Sequence, residues 1–311
     1  MDPIHSISPQ KDTSLALMLE AQARGWEIYY LTQDKLFLEN YIILGSCRRL
    51  QVINNPQHYY EFIDTHEIPF PLHDFDVVFM RKDPPVNKRF LYTTYFLDIA
   101  KKNGAFIIND PNAIRDSNEK LLATHFPQCC PELIVTSNQD QIIAFLNRHQ
   151  SIIIKPLSHM GGHGVLKLSQ HDPNIFASIE LLTHNGKLPI MVQRFIPEIA
   201  QGDKRIIMID GEAFSYALAR IPQPGDIRGN LSAHAKGIVQ PLSERDNWIA
   251  HQVGPMLKEK GLFLVGLDII GDYLTEINVT SPTGVREIDA AIGATLCPLI
   301  WNTLENKIKK R

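Results

Sequence analysis

The dipeptide Asp210-Gly211 lies between two apolar runs, residues 205–209 and 212–219, and constrains the fold more than any other feature. Asp-Gly readily adopts the positive φ angles of a two-residue hairpin turn, so it is expected to join two antiparallel strands. A second pair of strands is predicted for residues 263–270 and 274–279. The last third of the chain should therefore form antiparallel sheet, in which alternate side chains share a face.

Two arginines flank the first hairpin. With a two-residue turn, Arg205 pairs with Tyr216, so Arg205 and Arg220 point to the same face. Planar guanidinium groups bind carboxylates through two parallel hydrogen bonds, and Arg228 in the following loop could join them. A solvated basic edge is the alternative, and spacing alone leaves both open.

The second hairpin carries three oxygen ligands among apolar residues: Asp268, Glu276 and Asn278. Glu276 and Asn278 are two residues apart and share a strand face. A two-residue turn at Gly271-Asp272 puts Asp268 on the opposite face, whereas a three-residue connection sets it directly across from Glu276. In the second case the three oxygens suit Mg²⁺, which binds a few carboxylates together with phosphate oxygens and water. In the first case they are a polar outer face.

Helix and strand patterns alternate in the N-terminal third. A strand, a helix and a strand in succession favour parallel pairing in an α/β unit. The predicted elements are a helix at 13–25, strands at 27–31 and 76–80, a helix at 90–103 and a strand at 105–108. Asn109-Asp110-Pro111 ends this unit, and a helix capped by Asp116 or Ser117 is predicted to begin near Glu119.

Two lysines suggest that the next unit binds an anion. Lys155 closes an apolar strand and is followed by a turn containing Gly161 and Gly162, and glycines let backbone N–H groups approach a phosphate. Lys120 lies in the first turn of the predicted helix, where the helix dipole disfavours a cation. An exposed lysine and an ordinary turn are the alternatives. Around these residues the pattern predicts strands at 133–136, 151–155, 164–168 and 191–195 and a helix at 139–149.

The stretch 221–239 is rich in proline and glycine and has neither helix nor strand periodicity. Loops of this length inside compact domains are usually lids or binding loops. A mobile lid is expected, with a passive surface loop as the alternative.

Composition narrows the class of protein. The 311 residues include 31 Lys and Arg and 34 Asp and Glu, a formal net charge of −3, which argues against a nucleic-acid partner. No stretch reaches the roughly 20 apolar residues that span a bilayer, which argues against a membrane partner. The four cysteines lack metal-ligand spacing. A cytoplasmic protein with reduced thiols is expected.

These features occur in an order that resembles the ATP-grasp ligases. The residue sequence of several segments resembles the bacterial glutathione synthetases along nearly the whole chain. The similar segments are Met-Arg-Lys-Asp-Pro-Pro at 80–85, Arg-Asp-Ser-Asn-Glu-Lys-Leu at 115–121, Gly-Asp-Lys-Arg at 202–205, Leu-Ala-Arg-Ile-Pro at 218–222, Arg-Gly-Asn-Leu at 228–231 and the stretch 265–283. A general ATP-grasp match would not reproduce the segment at 80–85, so the narrower family is favoured.

The resemblance implies an α/β and α+β chain. An N-terminal α/β (pre-ATP-grasp) domain at 1–115 would precede a two-part ATP-grasp fold, with a central domain at 116–193 and a C-terminal domain at 194–311 carrying a lid at 221–239. The implied reaction joins glycine to γ-glutamylcysteine through an acylphosphate made with ATP, with Mg²⁺ or Mn²⁺ as the metal. A homo-oligomer, commonly a tetramer, is also implied. An ATP-grasp ligase for another substrate and a non-catalytic ATP-binding relative are the alternatives.

The resemblance also implies a role for each residue of the site. ATP binding falls to Lys120, Lys155, Gly161, Gly162, Gln193, Phe195, Ile196 and Asp203. Metal binding falls to Asp268, Glu276 and Asn278. Binding of γ-glutamylcysteine falls to Arg205, Arg220, Ser281, Thr283 and Gly284. Catalysis falls to Arg205, Arg220 and the lid residue Arg228.

Three features depart from the family pattern. An apolar strand usually precedes Met-Asp-Pro, which here stands at residues 1–3, so an upstream start or another segment is expected to fill its place. The phosphate turn reads Ser-His-Met-Gly-Gly-His at 158–163 instead of Asp-Gly-x-Gly-Gly. The lid centre reads Ser-Ala-His-Ala-Lys at 232–236, where glycines are usual.

Histidines occupy both altered loops: His159 and His163 in the phosphate turn and His234 in the lid. When protonated they would add positive charge near the phosphates of ATP, and an unperturbed histidine titrates near pH ~6.5. This hypothesis predicts that the KM for ATP rises between about pH 6 and 8 and that the rise flattens in a His159→Gly, His163→Ala, His234→Gly variant. Identical pH profiles would instead support solvent-facing replacements in tolerant loops.

Overall fold

The computed structural model describes residues 1–229 and 235–311, and their strands form four sheets. Sheets of five and two strands belong to the N-terminal part, one of four strands is central, and one of five strands lies in the C-terminal part. No helix in the described ranges is long and apolar enough to cross a membrane.

The N-terminal unit combines an antiparallel sheet with a short parallel pair. Its elements are α1 (Thr13–Ala23), β1 (Ile28–Tyr30), β2 (Leu36–Glu39), β3 (Ile42–Val52), β4 (Tyr60–Phe62), β5 (Ile68–Pro71), β6 (Val78–Phe79), α2 (Lys88–Lys102), β7 (Ile107–Ile108) and α3 (Pro111–Arg115). β6 and β7 pair in parallel across α2, which confirms the predicted strand–helix–strand unit. The antiparallel sheet around the long strand β3 was not predicted, because Arg48-Arg49 interrupts its apolar pattern.

A cavity of ≈ 770 Å³ lies between the edges of β1 and β6. Residues 27–31 line one side of it and residues 76–82 the other, and no strand pairing in the described ranges joins these two edges. Two strand edges therefore face each other across open space. Among the described residues, no other segment has taken the place of the expected additional strand.

The segment after α3 differs from the prediction. No α-helix begins near Glu119; residues 117–121 form a turn, and a short 3-10 helix follows at Leu122–His125. The Oδ1 atom of Asn118 accepts the N–H groups of Lys120 and Leu121, both at 3.1 Å. The backbone of Lys120 is thus held by a side-chain cap, and the helix-dipole argument about this lysine was wrong.

The central unit is a four-stranded antiparallel sheet covered by two helices. Its elements are β8 (Leu133–Thr136), α4 (Gln139–His149), β9 (Ser151–Pro156), β10 (Leu166–Ser169), α5 (Ile175–Leu182) and β11 (Ile190–Arg194), with strand order β10-β9-β11-β8. The predicted strands and α4 are confirmed to within two residues; α5 was not predicted. The core of this unit contains residues only from these elements, so it can move as a body.

The C-terminal unit is a five-stranded antiparallel sheet with three helices. Its elements are β12 (Asp203–Ile209), β13 (Glu212–Ile221), β14 (Lys236–Pro241), α6 (Glu244–Glu259), β15 (Leu264–Ile270), β16 (Tyr273–Asn278), α7 (Val285–Ile292) and α8 (Leu296–Ile308), with strand order β14-β13-β12-β15-β16. Both predicted hairpins are confirmed. The predicted lid is shorter than expected, because residues 236–239 belong to β14 and pair with β13. Its centre, with His234, lies outside the described residues.

The first hairpin has the predicted turn but a different register. Ile209 pairs with Glu212, as expected. A register shift between Ile206 and Met208 then places Arg205 opposite Leu218 instead of Tyr216. The predicted pair was wrong, but a shift of two residues preserves the side-chain alternation. Arg205 and Arg220 therefore still share a face.

The second hairpin corresponds to neither predicted alternative. Its turn is the two-residue one, since Ile270 pairs with Tyr273. A β-bulge at Thr275 then shifts the register, so Asp268 pairs with Glu276 after all. The hydroxyl of Thr275 donates to the carbonyl of Asp268 at 3.1 Å, which stabilises the bulge. Asp268 and Glu276 consequently share a face despite the short turn.

Helix α6 packs on the turn of the first hairpin through Gly254. A Cβ atom on Gly254 would lie 2.1 Å from the carbonyl oxygen of Gly211. Gly254→Ala is therefore expected to lower the free energy of unfolding by ~1–3 kcal/mol through overpacking, measured by urea denaturation. Gln252→Ala, at an exposed position of the same helix, should stay within ~0.5 kcal/mol of the native value. Equal midpoints for both variants would contradict this packing.

Candidate active site

A cleft lies between the central sheet and the C-terminal sheet. The eight residues predicted to bind ATP all line it: Lys120, Lys155, Gly161, Gly162, Gln193, Phe195, Ile196 and Asp203. Its free volume of ≈ 100 Å³ is below the roughly 300–1,000 Å³ of small-molecule sites, so the two sheets must separate to admit a nucleotide. The larger cavity beside β1 also has charged residues in its lining, but none of the eight residues predicted to bind ATP.

Two buried lysines make the cleft cationic. Lys120 Nζ donates to the carbonyl oxygen of His159 at 2.7 Å and to Glu276 Oε1 at 3.0 Å. Lys155 Nζ donates to the carbonyl of Thr275 at 3.1 Å, and within the described part of the chain no ion pair reaches it. Burial lowers the pKa of Lys155. A bound anion would offset the cost of burying these charges.

Two polar atoms of the cleft are buried without a partner among the described residues. One is the donor Gln193 Nε2 and the other is the acceptor Asp203 Oδ1. An unsatisfied buried group of this kind costs about 1–3 kcal/mol. A ligand that offers both an acceptor and a donor would satisfy the two atoms, so this pair marks a binding surface for a polar molecule.

Asp268 joins the two arginines of the first hairpin. Arg205 binds it with both ends of its fork, at 2.6 and 3.0 Å, and Arg220 Nη2 lies 3.0 Å from the same carboxylate. Arg220 also binds Asp203 Oδ2 at 2.6 Å. Burial alone would raise the pKa of Asp268, but the two guanidinium groups hold it below its usual range. Burial raises the pKa of Asp203, although its ion-pair partner Arg220 and the nearby Arg205 act to lower it.

The oxygens predicted to bind a metal meet on one face, because Asp268 pairs with Glu276, and Gly266 pairs with Asn278. No group of three or more His, Cys, Asp or Glu residues within the described ranges could hold a metal ion. Both carboxylate oxygens of Asp268 accept hydrogen bonds from arginines. Glu276 accepts a hydrogen bond from Lys120 with Oε1. One carboxylate and one amide fit Mg²⁺, which usually takes few protein ligands beside phosphate and water.

Arg228, which is predicted to belong to a lid, is held by its own loop. Arg228 lines the cleft, and its side chain is 38% exposed. Its Nη2 donates to Asp226 Oδ2 at 2.6 Å, and the backbone N–H of Arg228 donates to Asp226 Oδ1 at 2.9 Å. These hydrogen bonds and the adjacent charge of Arg228 lower the pKa of Asp226 to about 2.

Three of the residues predicted to bind γ-glutamylcysteine, Ser281, Thr283 and Gly284, lie in the turn between β16 and α7, whereas Arg205 and Arg220 lie on β12 and β13. Arg205 Nη1 donates to the carbonyl of Thr283 at 3.2 Å, so the arginine and this turn are together. Gly284 has a φ of 115° and precedes the first residue of α7, a conformation that favours glycine. Arg220 is separated from the turn by Asp268 and contacts the Asp203 side of the site.

Sequence analysis assigned no role to three residues that hold this region: Arg81, Asn109 and Glu119. Asn109 bridges the strands, since its side chain donates to the carbonyls of Leu264 and Val279 at 2.9 and 2.8 Å. Arg81 and Glu119 lie inside the segments that carry the resemblance. Their contacts with residues 279–282 join positions more than 150 apart along the chain, so no local pattern could reveal them.

Comparisons with known proteins agree with this geometry. Residues 1–115 match the sequence model of the prokaryotic glutathione synthetase N-terminal domain, and residues 119–293 match that of the prokaryotic glutathione synthetase ATP-grasp domain. A glutathione synthetase of Coxiella burnetii is 51% identical over 99% of this chain and 95% of the relative. One from Pseudomonas aeruginosa is 48% identical over 100% of this chain and 98% of the relative.

Solved structures agree on the fold. The ATP-grasp ligase PsnB in complex with a minimal precursor has a TM-score of 0.61, with 94% of each chain covered. Its sequence is 20% identical to this chain, so the likeness concerns the fold alone.

Lys155 is a buried cation without an ion pair in the described ranges, so its removal should stabilise the empty protein. Lys155→Met is expected to raise the free energy of unfolding by about 1 kcal/mol or more, because a buried charge is replaced by an apolar chain of similar length. The same variant should lose most of the thermal stabilisation that ATP with Mg²⁺ gives the native protein. Lys187→Met, at an exposed position, should change neither quantity. A destabilised Lys155→Met protein would contradict the argument.

Proposed function

The chain belongs to the prokaryotic glutathione synthetase family, and from that premise we propose how its residues carry out the reaction. It is an ATP-dependent carboxylate–amine ligase that joins glycine to γ-glutamylcysteine to give glutathione, ADP and phosphate. One observation carries the assignment of roles: buried lysines, unpaired polar atoms and the Asp268–Glu276 pair converge on a single cleft.

The cysteinyl carboxylate of γ-glutamylcysteine is a poor electrophile. Transfer of the γ-phosphoryl group of ATP to this carboxylate gives an acylphosphate and ADP. The amine of glycine then attacks the carbonyl carbon, the peptide bond forms and phosphate leaves. Side chains do little covalent work, so catalysis consists of positioning the reactants and of neutralising the negative charges brought together.

The ATP-binding residues receive roles from their atoms. We assign Lys120 and Lys155 to the phosphates, because both ammonium groups are buried in the cleft. Lys120 has the carboxylate of Glu276 as a partner, and Lys155 has no ion pair in the described ranges. Gly161 and Gly162, at φ angles of 64° and 79°, bring backbone N–H groups toward the same phosphates. The donor of Gln193 and the backbone of Phe195 and Ile196 suit adenine. The unpaired oxygen of Asp203 suits a ribose hydroxyl, which is a donor.

The family uses a divalent metal ion together with ATP. We assign Mg²⁺, which Mn²⁺ can replace, to Glu276 and Asn278, with Asp268 completing the set from the paired strand. A carboxylate can bind a lysine with one oxygen and a metal ion with the other, so the contact between Glu276 and Lys120 is compatible with this role. When bound, the ion would neutralise phosphate charge. Asp268 would share its oxygens with Arg205 and Arg220.

The residues assigned to the peptide surround Asp268: Arg205 is hydrogen-bonded to the turn at Thr283, and Arg220 binds the same carboxylate from the Asp203 side. We assign the carboxylates of γ-glutamylcysteine to the guanidinium groups of Arg205 and Arg220 and to the turn that contains Ser281, Thr283 and Gly284. When the lid closes, the guanidinium group of Arg228 would leave Asp226 and bind the negative charge that develops on the phosphate. Closure matters chemically, because water would hydrolyse the acylphosphate.

The domain division at residues 115 and 193, a cytoplasmic location and a homotetramer remain proposals that rest on the resemblance. Light scattering at several protein concentrations would test the last of these. A monomer at all concentrations would contradict it.

Phosphate release with substrates omitted one at a time tests the function itself. Rapid release is expected only when ATP, Mg²⁺, γ-glutamylcysteine and glycine are all present. Release that needs another amine or carboxylate would indicate a different ATP-grasp ligase. Nucleotide binding without release under any combination would indicate a non-catalytic ATP-binding protein.

Arg220→Lys keeps the charge but loses the planar fork that binds two carboxylate oxygens. The variant is expected to raise the KM for γ-glutamylcysteine by about tenfold or more, the loss of one charged hydrogen bond, with a smaller rise for ATP. Steady-state kinetics with each substrate varied separately measures both values. Arg24→Lys is the matched control, because Arg24 also binds two carboxylates, those of Glu20 and Glu305, but far from the cleft. A raised KM for ATP alone would place Arg220 in the nucleotide site.

A further inference from the structure

The segment Val279–Thr283 has no regular secondary structure, yet buried side chains from distant parts of the chain bind its backbone. The carbonyl of Val279 accepts from Asn109 Nδ2 at 2.8 Å, and the carbonyl of Pro282 accepts from Arg81 Nη2 at 2.8 Å. This arrangement differs from an ordinary surface turn, whose backbone groups bind water or one another. Its position is therefore set by other elements and not by its own conformation.

Glu119 makes the largest number of these contacts. Its Oε1 atom accepts the N–H of Val279 at 2.8 Å, the N–H of Thr280 at 3.0 Å and the hydroxyl of Thr280 at 2.9 Å. The carbonyl of Glu119 also accepts the N–H of Ile277 at 2.9 Å. Four hydrogen bonds thus fasten one residue to the end of β16.

Every donor to the Glu119 carboxylate is uncharged, and in the described ranges no ion pair involves it. Burial, followed by the neighbouring charge of Glu276, raises the pKa of Glu119. A carboxylate that is held without a cation gains no stability from charge pairing. Its contribution is to order the backbone to which it is hydrogen-bonded.

The contacts connect the two halves of the proposed site. Lys120, assigned to the phosphates, is the next residue along the chain. Glu276 and Asn278, assigned to the metal, immediately precede the bound segment, and the proposed peptide-binding turn forms its end. Small displacements of a bound reactant have large effects on rate, so a fixed distance between these parts matters.

We propose that Glu119 is a positioning residue, which fixes the peptide-binding turn relative to the phosphate-binding lysine and the metal-binding strand. The proposal rests on the proposed function, in that the turn is taken to bind γ-glutamylcysteine. Glu119 itself touches neither substrate nor metal. It acts through Val279 and Thr280.

Two substitutions separate the hydrogen bonds from the charge. Glu119→Ala removes the acceptor, whereas Glu119→Gln keeps an amide oxygen of the same shape that can accept the same three donors. Asp289→Ala is the matched control, because Asp289 also accepts three backbone N–H groups, those of Thr295, Leu296 and Cys297, at 2.8, 2.7 and 3.0 Å. Asp289 holds the start of α8 and has no contact with the turn that would bind the peptide.

Steady-state kinetics should divide the variants into two groups. Glu119→Ala is expected to raise the KM for γ-glutamylcysteine by about tenfold to a hundredfold, as for lost hydrogen bonds to a charged group, with less than about a threefold rise for ATP. Glu119→Gln should lie within about threefold of the native enzyme in both values. Asp289→Ala should lower the melting temperature without changing the ratio of the two KM values. A Glu119→Ala protein that behaves like Asp289→Ala, or a Glu119→Gln protein as impaired as Glu119→Ala, would overturn the proposal.

Amide hydrogen exchange keeps this test separate from the proposed function. The N–H groups of Val279 and Thr280 should exchange at least about tenfold faster in Glu119→Ala than in Glu119→Gln, with no added ligand. Loss of protection together with an unchanged KM for γ-glutamylcysteine would mean that Glu119 orders residues 279 and 280 but that the peptide binds elsewhere. Unchanged protection would refute the positioning role itself, whatever the enzyme ligates.

Discussion

The Asp268 carboxylate, shared by Arg205 and Arg220, is the interaction on which the rest of the site depends. Two guanidinium groups approach one buried anion from the neighbouring strand β12 and from β13 beyond it. Without Asp268, two buried cations would lie side by side, and without the arginines the carboxylate would be a lone buried charge. Either loss would cost several kcal/mol, about 3–5 for a broken buried pair. The sheet therefore holds together around a polar centre, which lies among the residues proposed to bind the nucleotide and the peptide.

Charge is left unbalanced where ligands are proposed to bind. In the described ranges Lys155 donates to a backbone carbonyl and has no ion pair, and one buried polar atom each of Asp203 and Gln193 has no hydrogen-bond partner. The ammonium group of Lys120 donates a hydrogen bond to the carbonyl oxygen of His159. Binding of ATP would replace that internal contact by phosphate oxygens. These groups would thus lower the stability of the ligand-free protein, and the nucleotide would supply their missing partners. This is a usual arrangement in active sites.

Precision at the peptide side has a different source. The segment that follows β16 is hydrogen-bonded to Arg81, Asn109 and Glu119, which belong to the N-terminal half of the chain. Arg81 and Asn109 donate to its carbonyls, and Glu119 accepts from its N–H groups. The N-terminal unit therefore acts on the site without lining the cleft. Cores shared by the first and last parts of the chain support this, whereas the central unit packs around a core of its own.

The sequence by itself determined both C-terminal hairpins and the strands of the central sheet, because turn dipeptides and apolar periodicity are local signals. The family came from the resemblance of whole motif segments. The sequence also named the residues that line the cleft, although through the resemblance and not through spacing. Tertiary structure decided what local patterns cannot carry. The bulge at Thr275, which brings Asp268 to the face of Glu276, contradicts the register that the two-residue turn implies. The contacts of Glu119 are likewise non-local. The sheet around β3 includes a local hairpin with β2, which was missed because Arg48-Arg49 interrupts the apolar pattern. A bulge or a side-chain contact across 160 positions is selected by the packing of partners distant in sequence, and no window of neighbouring residues contains that information.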